Sequence, residues 1–366
     1  MNKQRRRPAT LAVLALGLAA LACQTALGSG PSAGRPTATP GVASPTSESA
    51  APRLGLSRSR PFPAEAAAVL PDWTLEVLEV LRGEPAWQAL AEANRFNEPA
   101  PEGQAYVLVR LRVTSRHTDQ AARPIAGTDF RLTGQRGIAY FKAFAVTPEP
   151  YLEAELRAGE SAEGWSVYLA AQDEADLLLM FDPINFNDEA PPYFLALTPG
   201  ARFAIDPELA GRAPTRLGAD PREPAALGQT LVTEDWELEA LEVRRGAEAW
   251  DMLLAANAFN DPPPDGLEYL LVRVRVRALH ADDEAVYLGG SAYFRARADD
   301  GRVFDPPAVV VPEPGLDARL FPGGSHTGWV ALQGPVDTRL SLEFNPFYTL
   351  DETDRRFISL RGTSAP

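Results

Sequence analysis

Cysteine is nearly absent from this 366-residue chain, and histidine is scarce, with one and three residues respectively. A single cysteine excludes an internal disulfide framework and any cysteine-built zinc cage. No HxH or HExxH spacing occurs, so no metal and no other cofactor is expected. Positive charge is also short, at 35 Lys+Arg against 49 Asp+Glu. The first 22 residues hold Lys3, Arg5, Arg6 and Arg7 and no acid, so the remainder stands at 31 − 49 = −18. Such a surface repels phosphate backbones and anionic headgroups, which removes nucleic acid from the expected partners. The apolar run Leu11–Ala22 spans only ~18 Å as a helix, short of a ~30 Å hydrocarbon core. What the chain has in ordinary measure is apolar residues, 45%. That excludes wholesale disorder, and the length allows roughly two or three domains of ~100–200 residues.

The amino terminus combines a basic cluster, a short apolar stretch and small residues at its end, the pattern of a secretory signal over residues 1–22. Ala20-Leu21-Ala22-Cys23 resembles a bacterial lipoprotein signal, which implies lipidation of Cys23 and a membrane anchor. An ordinary cleaved signal with an incidental cysteine is the bland alternative. Of the 37 residues from 24 to 60, 21 are Gly, Pro, Ser or Thr and none is aromatic. Such a stretch buries too little to offset its ordering entropy and reads as a flexible linker, 23–60, reaching roughly 35 Å.

The rest is an internal duplication. Trp73–Val113 and Trp236–Val276 align without gaps at an offset of 163, with 24 of 41 positions identical. Weaker matches continue at Gly164-Trp165 with Gly328-Trp329, and at Phe181 with Phe344. The six tryptophans fall into three equivalent pairs. This gives a first domain over 61–200, an inter-domain linker over 201–228 and a second domain over 229–366. Each is long enough to own a core.

Inside each copy the apolar period is two. Val107, Val109, Leu111 and Val113 share one face and Leu108, Arg110 and Arg112 the other, as in a half-buried antiparallel strand. Further strands are expected over 73–81, 138–146, 164–170, 176–181 and 193–197. About seven short strands without long helices argue for an all-β sandwich. One helix follows Gly83, with Trp87, Leu90, Ala91 and Asn94 at helical spacing and Pro99 beyond it. It is expected to close one end of the sandwich. The W…LEV.RG opening, the N-x-F-N-x-P-x-P-x-G loop and G-x-S-x-x-G-W at 159–165 and 323–329 together resemble the bacterial telokin-like, immunoglobulin-type sandwiches. These domains of unknown function are common in secreted proteins and lipoproteins. The resemblance implies two tandem immunoglobulin-like domains and carries no catalytic residues.

Candidate sites are few. Asn94, Asn97, Asn257 and Asn260 sit in the most nearly repeated loops and offer oxygen ligands to a calcium ion or another ligand. More often such asparagines satisfy backbone groups at helix ends and turns, with Phe96 and Phe259 plugging the core beside them. The tryptophans fit core positions better than a sugar platform. His117, His280 and His326 show no partner spacing, and Ser325-His326 places adjacent residues on opposite faces, wrong for a nucleophile and its base. The acidic groups are Asp182 with Asp188-Glu189, Asp282-Asp283-Glu284, Asp299-Asp300 with Asp305, and Asp351-Glu352 after Asn345. They read as solvated turns more readily than as a glycosidase pair. Arg110/Arg112 and Arg273/Arg275 are placed to pair with Glu76/Glu79 and Glu239/Glu242 across strands. The expectation is a non-catalytic envelope lipoprotein that binds or scaffolds an envelope protein or glycan. A small-solute receptor is the alternative within binding, and a hydrolase using acidic residues the one outside it.

Overall fold

Period-two stretches become the long central strands. The computed structural model describes residues 53–183, 191–203, 205–209, 212–280, 282–346 and 353–360. These belong to one compact unit, Ala51–Pro366. The first copy contains β1 (Ala68–Val69), β2 (Trp73–Arg82), α1 (Glu84–Ala93), β3 (Gln104–Ser115), β4 (Arg123–Ala126), β5 (Phe130–Thr133), β6 (Glu153–Leu156), β7 (Ser161–Ala171), β8 (Leu178–Phe181) and β9 (Tyr193–Ala196). The second contains β10 (Leu231–Val232), β11 (Trp236–Arg245), α2 (Gly246–Ala256), β12 (Leu267–Ala278), β13 (Val286–Leu288), the single turn α3 (Gly290–Tyr293), β14 (Phe294–Ala298), β15 (Val303–Phe304), β16 (Ala318–Leu320), β17 (Ser325–Pro335), β18 (Leu340–Phe344) and β19 (Arg356–Ser359).

The chain is all-β and antiparallel. Sheets of order β1-β2-β3-β7 and β10-β11-β12-β17 are equivalent, and face β5-β8-β9 and β15-β14-β18-β19 respectively. Val107, Val109, Leu111 and Val113 meet Phe130, Leu132, Leu179 and Phe181 in one core. Val272, Val274 and Val276 meet Phe294, Leu342 and Phe344 in the other. Glu76 lies opposite Arg112 and Glu79 opposite Arg110, with a bulge between Val77 and Glu79. The second copy repeats this, with its bulge between Ala240 and Glu242.

The two-fold alternation has a second half that the sequence hides. Leu108 is on the arginine face yet fully buried, because α1 lies across the outside of the sheet. Ala86 and Leu90 pack there on Tyr106, Leu108, Trp165 and Val167. The helix therefore covers the outer face rather than closing an end, since a ten-residue helix buries more apolar area on a sheet than at its rim. Beyond it the same face turns polar: Arg112 donates to Glu163 at 2.6 Å and Glu76 at 3.0 Å, and Arg110 to Glu163 at 3.1 Å. In the second copy Arg275 pairs with Glu239.

Both expected linkers prove partly structural. Phe62 bridges Leu195 in parallel, and Ala225 bridges Ile358 in the same way at the same offset of 163. Gly55 and Gly218 stand at equivalent positions with φ of 81° and 66°. A Cβ at Gly55 would sit 2.1 Å from the Phe62 ring, and one at Gly218 2.6 Å from the Phe357 carbonyl oxygen. Each copy thus begins near its glycine, upstream of residues 61 and 229, because an edge of each inner sheet needs a partner. The strand expected over 138–146 is also replaced. Ile138, Tyr140 and Lys142 form only single bridges, each to a different strand, so the segment works as a tie and not as a ladder.

A candidate binding cleft between the two copies

The tie joins the copies. Ala139 N–H donates to the Arg319 carbonyl and Phe321 N–H to the Gly137 carbonyl, both at 2.9 Å. Gly137–Ala139 thereby extends the β13-β16 pair of the other copy. Gly137, at φ 65°, is required: a Cβ there would meet Gly324 Cα at 2.7 Å. Buried Glu174 fixes the tie from behind, accepting from Arg136 N–H at 2.7 Å and from the Tyr140 hydroxyl. Burial and the adjacent carboxylate push the Tyr140 pKa well up, so the hydroxyl stays a donor. Ala139, Met180, Phe194 and Phe321 form an apolar plug beneath.

Above the plug lies an open cleft of about 930 Å³, walled by both copies. Its exposed centre is Arg319, whose guanidinium stands 5.8 Å from the Phe141 ring and 5.8 Å from the Tyr287 ring. Phe141 is 53% exposed and Tyr287 44%. Asp317 orients Tyr287, accepting from its hydroxyl at 2.9 Å and from Gly290 N–H at 3.0 Å. Arg136 reaches the rim held by both oxygens of Asp173 at 2.7 and 2.8 Å. His326 closes the floor with Nε2 2.7 Å from the Gly315 carbonyl. The arrangement offers flat rings, a guanidinium edge and a carboxylate, which suit stacking and hydrogen bonding to a planar or ring-bearing ligand.

The residues singled out from sequence lie elsewhere. Asn94 Oδ1 accepts from Phe96 N–H at 3.0 Å, and Asn257 Oδ1 from Phe259 N–H at 3.0 Å. Asn97 Nδ2 donates to the Leu90 and Val146 carbonyls at 2.8 and 2.9 Å, while its Oδ1 accepts from Val146 N–H at 3.0 Å. Asn260 does the same with Leu253 and Val310. These backbone bonds account for the repeated asparagines without a ligand. Phe96 and Phe259, however, do not plug the core. They project from the loops, 75% and 92% exposed, because the Asx turns aim them outward.

Trp73, Trp165, Trp236 and Trp329 are buried, and Trp87 and Trp250 half-buried against Tyr106 and Tyr269. His117 lies edge-on to Trp73 at 5.1 Å, and His280 bonds the Asp282 and Leu320 carbonyls, so the three histidines serve separate places. Asp182 pairs with Arg131, Asp283 with Arg58 and Asp300 with Arg302. Asp188, Glu189, Asp351, Glu352 and Cys23 lie outside the described residues. Among the described residues no group of three or more His, Cys, Asp or Glu is placed to hold a metal, and no helix is long and apolar enough to cross a membrane. Phe141, Tyr287 and Arg319 escaped the sequence reading because they fall outside the aligned block and carry no repeated signal.

No family model matches the chain, and no curated protein matches it. Among solved structures it is similar to ycdA of Bacillus subtilis, named as a candidate lipoprotein, at 16% identity and a TM-score of 0.29 over 37% of this chain and 39% of that one. The likeness thus spans well under half of that protein's length. It is also similar to the yjhA protein of Bacillus subtilis, at 12% identity and TM-score 0.27 over 36% and 96% of the two chains. A third is an uncharacterized β-sandwich protein of Clostridium difficile, at 9% identity and TM-score 0.24 over 37% and 91%.

Proposed function

We propose that the chain is a non-catalytic envelope lipoprotein, anchored through Cys23, that binds a partner in the cleft between its two immunoglobulin-like copies. The observation that carries this reading is the pair of exposed rings, Phe141 and Tyr287, each 5.8 Å from the Arg319 guanidinium in a cavity that needs both copies to form. Exposed aromatics beside arginine are the usual anchors of a binding surface. The hydrogen-bonded carboxylates of the cleft are engaged in fixing geometry, which favours recognition over acid–base work.

A second reading, a glycan receptor, draws on the same rings, since flat apolar faces stack on sugars. One experiment separates the two. The intact chain is cross-linked in its native envelope and recovered, beside Tyr287→Ser and Arg319→Ala variants. Recovery of one protein by the parent and not by the variants supports the protein-binding reading. Retention of saccharide alone, lost in both variants, supports the glycan reading. Equal recovery by all three chains removes the cleft from either.

A further inference from the structure

We infer that Phe96 and Phe259 are contact tips, one per copy, that rest in the interfacial layer of an uncharged lipid surface. Both rings are largely exposed although each is attached to a pinned loop; Phe96 has the Arg95 guanidinium of its own loop 4.7 Å from its centroid, and the second copy has Ala258 there. Asn97 grips Val146 through both its N–H and its C=O, and Asn260 grips Val310 in the same way, so each loop is pinned to a neighbouring segment. Val146 and Val310 are themselves exposed beside the tips, and Phe144 adds a fully exposed ring in the first copy. The result is the same apolar tip, held by the same carboxamide clamp, twice in one molecule.

Around the tip, Arg95 is replaced by Ala258, Glu98 by Asp261, Ala100 by Pro263 and Glu102 by Asp265, yet phenylalanine stands at both 96 and 259. Identity at buried positions follows from packing. A ring in solvent has no such reason to persist through a duplication, so its retention points to a contact outside the chain.

The length of chain before Arg53 selects the surface. Only 29 residues separate Cys23 from Arg53. A Gly/Pro/Ser/Thr-rich stretch of that size reaches about 30 Å. This step rests on the anchor reading above: a head tethered so closely meets the bilayer at an effective concentration in the millimolar range, where two weak apolar contacts suffice. Phenylalanine is suited to the headgroup–acyl boundary. The net charge of the chain beyond residue 22, 31 − 49 = −18, assigns the contact to neutral lipid, because an anionic surface repels it.

The test exploits the sole thiol. The full chain is coupled through Cys23 to a maleimide-headgroup lipid in phosphatidylcholine liposomes, or capped with a lipid-free maleimide, and amide hydrogen exchange is followed by mass spectrometry. Natural lipidation is thereby not required, and a separate fractionation of Cys23→Ser cells tests the anchor by itself. The proposal expects exchange about tenfold slower across 94–98 and 257–261 on liposomes, with the slowing abolished in the Phe96→Ser/Phe259→Ser chain. Both substitutions fall on exposed side chains and leave the core intact. Equal rates on and off liposomes, slowing in one copy only, or slowing that survives both substitutions would each overturn it. So would protection that appears only when envelope protein is added.

Discussion

Arg58 Nε donates to Asp283 Oδ1 at 2.7 Å, joining the opening segment of the first copy to a loop of the second. The guanidinium is 0% exposed and lies between the Phe203 ring at 4.5 Å and the Phe321 ring at 4.1 Å. Asp283 also accepts from Arg58 N–H at 3.0 Å. Burial pulls the Arg58 pKa down and Asp283 opposes it, so the ion pair keeps the charge in place. Asp283→Ala leaves a buried charge unpaired and should cost about 3–5 kcal/mol in denaturant unfolding. An Arg58→Met/Asp283→Leu double variant should recover much of that loss, because it removes both charges together.

Gly164 and Gly328 explain the repeated Gly-Trp. A Cβ at Gly164 would lie 2.2 Å from Leu152 N, and one at Gly328 2.3 Å from the Gly315 carbonyl oxygen. Both clashes are with backbone, where a parallel bridge joins Tyr151 to Trp165 and Gly315 to Trp329. Alanine at either position should destabilise by about 3 kcal/mol, read as a lowered urea midpoint. Alanine at Gly159, which has open space but φ 78°, should cost less, about 1 kcal/mol.

The asparagine clamps give a graded expectation. Asn97→Ala or Asn260→Ala removes three hydrogen bonds and should cost about 1–3 kcal/mol. Asn94→Ala removes a single Asx-turn bond and should cost about 0.5–1 kcal/mol. Calcium added to the parent should leave the melting temperature unchanged. A calcium-dependent rise that disappears in Asn97→Ala would return these loops to the list of ligand sites.

His326 predicts a pH dependence. Its burial holds the ring below the ordinary histidine value, with the Gly315 hydrogen bond opposing. Well above pH 6.5 the ring is neutral in both states, and its burial carries no charging penalty. As pH falls through about 6.5 the unfolded chain takes up the proton first, so stability is lost toward the lower folded pKa. Stability measured between pH 7.5 and 5.5 should therefore fall less steeply in His326→Gln than in the parent. Identical slopes would contradict the assigned environment.

The duplication and the long strands were legible because Val107–Val113 and Leu270–Val276 alternate cleanly and pair with strands that alternate as well. The Glu76–Arg112 register could be read for the same reason. β4 and β6 were missed: Arg123–Ala126 and Glu153–Leu156 are four residues each, too short to show a period, and pair only with one another. Leu108 misled, since its face is apolar under α1 and ionic beyond it. Arg58 gave no signal, sitting in a run of Ser, Arg and Pro that looks like linker. The cleft was illegible because it is built by segments 137–141 and 315–319, which differ between the copies and acquire meaning only when one copy ties to the other.

The most direct test of the account is residue-resolved photo-cross-linking in the native envelope. A benzophenone side chain replaces Tyr287 or Phe141 in the cleft, or Arg222 on the exposed strand-joining segment. Binding in the cleft predicts one partner captured from positions 287 and 141 and not from 222. Capture from 222 alone, or equal capture from all three, would contradict binding in the cleft.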